Sequence, residues 1–378
     1  MKIGILTLPL HTNYGGILQA YALQTVLERM GHEVVVFDTP NEYSLPPLWK
    51  LPLCFAKRIV MKCLGRAKYV FVERQLNYER RTIAQDLQPF VDNNIHRKVI
   101  RNFGALKEKD YDAIVVGSDQ VWRASYFSGS WLHLGVENAY LAFAKDWNIK
   151  RIAYAASFGT DDWEYTDEET LNCKELVNEF DGVSVREERG VYLCKNKLDV
   201  NALHVLDPTM LLNIDDYISI FQKENTPKSK GTLLNYVLDE NEEINHLIDK
   251  LVAEKQLIPF AVNNLLESDE SQPLQARIKT SVEAWLRGFY DAEFVITDSF
   301  HACVFSILFK KQFVVVGNKE RGMSRFESLL NMFGLQDRLV DATVDLSKLR
   351  QIDYDNVYDI YDKLKIRSIN FLCKSLNC

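Results

Sequence analysis

Phe294-Val-Ile-Thr-Asp-Ser-Phe-His-Ala-Cys-Val-Phe-Ser-Ile-Leu-Phe309 is the stretch whose reading sets the architecture. The apolar run Phe294 to Ile296 reads as a buried parallel strand, and Ala302 onward reads as a helix. Between them stand Thr297, Asp298, Ser299 and His301. Asp298 or Ser299 is placed to cap the helix, which leaves His301 in its first turn beside unpaired N–H groups. Ligands of open α/β sheets bind at such strand-to-helix turns, so His301 is expected to face a site rather than a core.

The same alternation extends on both sides. Lys2–Leu6 reads as a strand, Gly16–Met30 as a helix stopped by Gly31, and Glu33–Phe37 as a second strand. Strand signals recur at 113–116, 151–155, 182–185 and 202–206, with helical stretches around 167–180 and 187–194. The polar region after Asp207-Pro208, ending in Asn225-Thr-Pro-Lys-Ser-Lys-Gly231, reads as a linker or exposed loop. The series then restarts with strands at 233–237 and 257–262, helices at 240–254 and 281–290, and a strand at 313–316. Strands alternating with helices indicate parallel sheets covered on both faces. The fold class is α/β, with two Rossmann-like lobes whose parallel sheets face a central cleft. The first lobe spans 1–212, with a basic helical insertion near 45–100. The second spans 213–349 and carries the His301 helix, and a C-terminal helix over 350–378 packs back on the first lobe.

A chain of 378 residues with 47% hydrophobic content can bury large cores. Its net charge of -7 excludes a general nucleic-acid binder, which carries a basic surplus. Seven cysteines without a C-x-x-C pair imply reduced thiols and a cytoplasmic protein. Cys303 has apolar neighbours and reads as a structural thiol. The seven histidines lack metal-ligand spacing, so no metal site is expected. One segment breaks the rhythm: from Lys50 to Arg74 the sequence is apolar, with seven basic residues against Glu73 alone. Either its basic face is solvated or lines the cleft, or the segment rests peripherally on an anionic membrane surface at the inner face of the cell.

Five further turns carry chemistry-bearing residues. Asn13-Tyr-Gly-Gly16 follows the first strand, where Gly15 and Gly16 let the backbone approach a ligand or simply turn sharply. Val115-Val-Gly-Ser-Asp-Gln-Val-Trp-Arg123 crowds Ser118, Asp119 and Gln120 at a strand end. Trp122 would add a flat apolar wall that suits hydroxyl-rich ligands such as sugars, unless Asp119 merely caps a helix. Ser157 lies in a small polar turn without the context of a nucleophile elbow, and reads as cleft-lining. Ser184-Val-Arg-Glu187 delivers Arg186 to another strand end, where its fork suits phosphate or carboxylate or pairs with Glu187 or Glu188. Lys319, Arg321 and Arg325 place positive charge on the loop after 313–316.

Together these segments resemble the polysaccharide pyruvyl transferase family. The resemblance rests on Asn13-Tyr-Gly-Gly16, the Gly-Ser-Asp-Gln-Val-Trp stretch to Trp122, Ala156-Ser-Phe-Gly159, Ser184-Val-Arg-Glu187, Asp207-Pro208 and Asp298-Ser-Phe-His301. It implies two lobes like those of B-type glycosyltransferases. It also implies transfer of pyruvate from phosphoenolpyruvate, as co-substrate and without a further cofactor, to two hydroxyls of a sugar. His301 would be the acid/base beside the phosphate, and Arg186 an anion ligand. Asp119 would act as base or orient the acceptor, which Asn13, Tyr14, Gly15, Gly16, Ser118, Gln120, Trp122 and Ser157 would line. The family carries an arginine two residues before this histidine. Here Ser299 stands in that donor position, so Arg321 or Arg325 would have to supply the missing cation. The acceptor would be a cell-surface polysaccharide such as an exopolysaccharide, or its free or lipid-linked precursor. The alternatives are a nucleotide-sugar-dependent glycosyltransferase of the same fold and a non-catalytic carbohydrate-binding relative.

Overall fold

Short runs of apolar residues without polar alternation become strands buried on both faces, and every residue of 113–116 and 294–297 is buried. The computed structural model describes residues 1–377 apart from 41, 128–134, 240, 268, 318–322 and 342–343. The first lobe holds β1 (Lys2–Leu6), β2 (Glu33–Asp38), β3 (Arg97–Val99), β4 (Ala113–Val116), β5 (Lys150–Ala156), β6 (Gly182–Val185) and β7 (Leu203–His204). They pair in parallel in the order β3-β2-β1-β4-β5-β6-β7. The second lobe holds β8 (Leu233–Tyr236), β9 (Pro259–Phe260), β10 (Phe294–Thr297), β11 (Gln312–Val316) and β12 (Leu339–Val340). Their order is β12-β11-β10-β8-β9, again parallel.

Each sheet has a point where the winding reverses: between β1 and β4 in the first, and between β10 and β8 in the second. Such switch points open a crevice at the carboxyl ends of the flanking strands. The strand ends expected to carry chemistry are therefore brought to two facing edges.

A shared apolar core joins the lobes. Tyr14, at the start of the helix Tyr14–Arg29, stacks on Trp285 of the helix Val282–Asp291 at 5.4 Å. Tyr217 meets Phe305 edge-on at 5.0 Å. The C-terminal helix Tyr354–Leu376 does more than pack on the first lobe, because it bridges both. Tyr361 Oη donates to the Met210 carbonyl (2.7 Å), and Ser368 Oγ accepts from the Leu206 N–H (3.0 Å). On the other side, Tyr358 Oη donates to the Leu308 carbonyl (2.6 Å).

Within the region read as a linker or exposed loop after Pro208, Ile214–Lys223 is a helix, while 225–231 carries no helix or strand. The polar start of that helix is a cap, with Asp216 accepting from the Asn213 N–H at 2.8 Å, while Tyr217, Ile220 and Phe221 are buried. Among the described residues no helix is long and apolar enough to cross a membrane.

Candidate functional site

Strand ends on one side of the first sheet's switch point deliver Asp119 after β4, Arg186 after β6 and Asp207 after β7. Arg186 is only 1% exposed. Its Nη1 donates to Asp207 Oδ2 at 2.8 Å and its Nη2 to Asp119 Oδ1 at 3.2 Å. Its Nε lies 3.9 Å from Glu187 Oε2, and neither of these two buried atoms has a hydrogen-bond partner. From the opposite lobe, His301 in the first turn of the helix Phe300–Leu308 points its Nε2 into this cluster. The ring nitrogen is 3.6 Å from Asp207 Oδ2 and 3.5 Å from Arg186 Nη1. Asn13 Nδ2 donates to Asp119 Oδ2 at 3.2 Å, which ties the β1 turn to the β4 turn across the switch point. Asp119 itself sits at φ 65, a left-handed conformation that aspartate tolerates better than most side chains.

Burial alone would raise the pKa of Asp207. Pairing with His301, then with Arg186 and Thr209, outweighs it and holds the carboxyl well below the usual carboxylate range. Glu187 goes the other way, because burial pushes it up against the pull of Arg186 and Arg325. Arg325 is buried in the first turn of the helix Met323–Phe333 rather than on a loop. Burial first, then the neighbouring Arg186, pushes its pKa down to about 10. The two guanidinium groups share the ring of Phe300, at 4.4 Å for Arg186 and 6.0 Å for Arg325. Both guanidinium groups therefore lie at the Phe300 ring, next to His301 in sequence, with Arg186 already engaged by the carboxylates of Asp119 and Asp207.

Gly15 explains how the lobes meet here. A Cβ on this residue would lie 2.0 Å from His301 Nδ1, so only glycine lets the helix start pack flat on the imidazole. Gly15→Ala is expected to push the ring off Asp207 and to cost about 1–3 kcal/mol of stability through overpacking. A melting curve with a parallel measurement of turnover checks it, and an unchanged melting point would contradict the contact.

Several expected residues stand behind the site rather than on it. Trp122 is no wall of a cleft: it is fully buried, stacked on Tyr140 at 4.8 Å, and its Nε1 donates to the Ala139 carbonyl. The indole packs instead in a core of the first lobe with Tyr140 and Phe158. Tyr14 is buried in the seam between the lobes, its Oη donating to the Thr280 carbonyl at 2.6 Å. Ser118 and Ser157 are buried, with Ser118 Oγ 3.1 Å from Asp207 Oδ2 and Ser157 Oγ accepting from the Gly159 N–H. Gln120 is half-buried and accepts from Arg123 Nη1, while Gly16 packs next to Asn13. Ser299, at the cap position of the His301 helix, makes no capping hydrogen bond with its side chain. Asp298 accepts from the N–H groups of Leu238 and Asp239, on the turn after the adjacent β8. Ser299 is half-buried, its N–H donating to Thr297 Oγ1. Arg321 and Lys319 lie outside the described residues. Cys303 is buried with its thiol pKa raised by burial, in keeping with a structural role. Among the described residues no group of histidine, cysteine and acidic side chains is arranged to hold a metal ion.

Sequence reasoning named Asp207 only as part of a motif and missed it as the partner of His301. The available signal was its position, since it follows a strand of the same sheet as Asp119 and Arg186. A cavity of about 670 Å³ opens beside the β1 turn, lined by Leu10, His11, Thr12, Asp38, Arg80 and Glu267 among others but by none of the residues of the His301 cluster. It lies at the carboxyl ends of β1 and β2, and the second lobe reaches it through Glu267.

The chain is similar in structure to a solved glycotransferase of kitacinnamycin, at 11% identity and a TM-score of 0.49, covering 99% of this chain and 98% of that one. It is also similar to UDP-GlcNAc 2-epimerase from Neisseria meningitidis, at 10% identity and a TM-score of 0.48, covering 100% and 99%. No curated protein matches the sequence. The model of the polysaccharide pyruvyl transferase family matches residues 13–320, a stretch that runs from the Asn13 turn past the His301 helix. By that match, the chain belongs to the polysaccharide pyruvyl transferase family.

Proposed function

We propose that the protein transfers pyruvate from phosphoenolpyruvate onto two hydroxyls of a cell-surface polysaccharide or its precursor, forming a cyclic ketal. The observation that carries this reading is His301, set against Asp207 beside the paired guanidinium groups of Arg186 and Arg325. Arg325 stands in for the cation that Ser299 does not provide. The donor's carboxylate and phosphate sit near these cations, and the sugar extends into the 670 Å³ cavity.

In the reaction, one sugar hydroxyl attacks the central carbon of the enol phosphate while His301 delivers a proton to the methylene, which becomes a methyl. The second hydroxyl then attacks the same carbon, and the carbon–oxygen bond to phosphate breaks. The proton lost by the first hydroxyl replaces the one His301 gave up, and the proton of the second leaves with the phosphate. Asp207 orients the ring for this work.

Asp119 orients the acceptor through the Asn13 turn. Asp119→Asn keeps the left-handed backbone and removes only the charge. It is expected to raise the acceptor KM by roughly tenfold, the worth of a charged hydrogen bond, with a smaller loss of donor affinity because Asp119 also accepts from Arg186. Collapse of donor binding would assign the residue to the other substrate.

The deciding experiment incubates the protein with phosphoenolpyruvate and a panel of bacterial envelope glycans. It follows phosphate release and the mass added to the sugar. A thermal-shift series then compares phosphoenolpyruvate with nucleotide sugars, because a ligand stabilises in proportion to its occupancy. Stabilisation by nucleotide sugars alone, with no pyruvylated product, would replace this reading with glycosyl transfer.

A further inference from the structure

An amphipathic surface helix normally turns its apolar stripe toward the core. The helix Leu51–Cys63 does the reverse, and neither it nor the preceding turn Leu48–Lys50 has a buried residue. Leu53, Val60 and Leu64, spaced to share one face, are 73%, 57% and 62% exposed. Leu48 and Trp49, one turn earlier, are 83% and 74% exposed. The helix is held in this orientation from behind. Arg58 forks onto Glu73 at 2.6 and 2.7 Å, and Phe55 packs edge-on against Phe71 at 5.1 Å.

Charge identifies the occupant of this face. Residues 50–74 carry seven basic side chains and one acidic one, in a chain whose net charge is -7. Lys50, Lys57 and Lys62 are exposed on the same helix and its approach, with Lys50 Nζ 4.6 Å from the Trp49 ring. A second copy of the chain would bring the same positive charge and repel. An apolar stripe with a tryptophan and flanking lysines matches the boundary between acyl chains and anionic headgroups.

We propose that the segment 48–71 docks the protein on an anionic membrane surface, lying in the interface without crossing it. The helix Val72–Ile83 leads from this face to the cavity. Glu73, which holds the docking helix, and Arg80, which lines the cavity, are seven residues apart, about 10 Å along a helix axis. Docking therefore brings the cavity close to the headgroups, where a lipid-linked acceptor would be presented. That consequence rests on the function proposed above, whereas the docking does not.

Flotation of the full-length protein with vesicles of phosphatidylcholine, with and without phosphatidylglycerol, tests the docking. The protein is expected to float with anionic vesicles only, and to be released by salt. At about fivefold per basic residue, Lys50→Ser/Lys57→Ser/Lys62→Ser should weaken binding by roughly 100-fold. Trp49→Ser/Leu53→Ser/Val60→Ser should weaken it by about tenfold or more. Both variants should melt like the wild type, because the changed side chains are exposed. The proposal is overturned if the wild type ignores anionic vesicles, or if both variants bind them undiminished. It is also overturned if sedimentation shows a dimer that the apolar variant abolishes while vesicles stay unbound. Flotation without pyruvyl transfer would sink the proposed reaction and leave the docking standing.

Discussion

His301→Ala is expected to lower turnover by roughly 100-fold or more, the range that positioned acid–base groups supply. In barrier terms this is about 2.7 kcal/mol or more. The effect should fall on kcat more than on donor affinity, because the cations at Arg186 and Arg325 stay in place. The fold should survive the change. Asp207 keeps Arg186 at 2.8 Å, Ser118 at 3.1 Å and Thr209 Oγ1 at 2.7 Å after the ring is gone. Circular dichroism and a melting curve separate lost chemistry from lost structure. His301→Gln sharpens the test, since glutamine fills part of the space and hydrogen-bonds Asp207 but cannot carry a proton near neutral pH. If the reading is right, both variants lose turnover alike. Recovery in the glutamine variant would make the histidine a positioning residue, and wild-type activity in the alanine variant would remove it from the mechanism.

The parallel strands were legible because burial on both faces leaves an unbroken apolar signature, as at 113–116 and 294–297. The two strands that were missed, β3 and β12, lie at sheet edges. One is Arg97-Lys98-Val99 and the other only Leu339-Val340, so neither has the apolar run that marks a central strand. His301, Arg186 and Asp119 stood out as candidates for a related reason: each lies within four residues of the end of a buried strand, where a polar side chain calls for a partner. What the sequence could not express was register. That Asp298 would accept from the turn after β8 follows from β8 and β10 being neighbours, though they are separated by nearly sixty residues. That Asp207 would meet His301 depends on two lobes closing on each other, and the closure depends on Gly15. Trp122 failed by the same logic, since its wall position assumed a turn that stays on the surface.

Arg186 carries the second large expectation. Arg186→Met is expected to destabilise the fold by about 3–5 kcal/mol, because it strands buried carboxylates without their cation. Asp119, Glu187 and Asp207 lie within 3.9 Å of this one guanidinium, and all are nearly inaccessible to water. The change in pH dependence is more telling than the loss itself. In the wild type, Asp207 has a depressed pKa and so contributes stability above its unfolded value of about 3.9. That contribution is lost as pH falls through the folded pKa. Without Arg186, Glu187 loses the first of the cations that oppose its burial and rises further above its unfolded value, while Asp207 stays paired with His301 and Thr209 and rises by less. The folded variant then binds more protons than its unfolded chain, so its stability should rise as pH drops from neutral toward about 4. Urea midpoints measured across that range give the sign directly. Asp207→Asn added to Arg186→Met should recover part of the loss, because it removes one of the stranded charges, whereas Arg186→Lys should restore the charge but not the fork. A methionine variant as stable as the wild type, or one with an unchanged pH slope, would mean that the guanidinium does not hold the cluster together. The geometry offered for His301 would then lose its support, since the imidazole is oriented by a carboxylate that Arg186 keeps charged and in place.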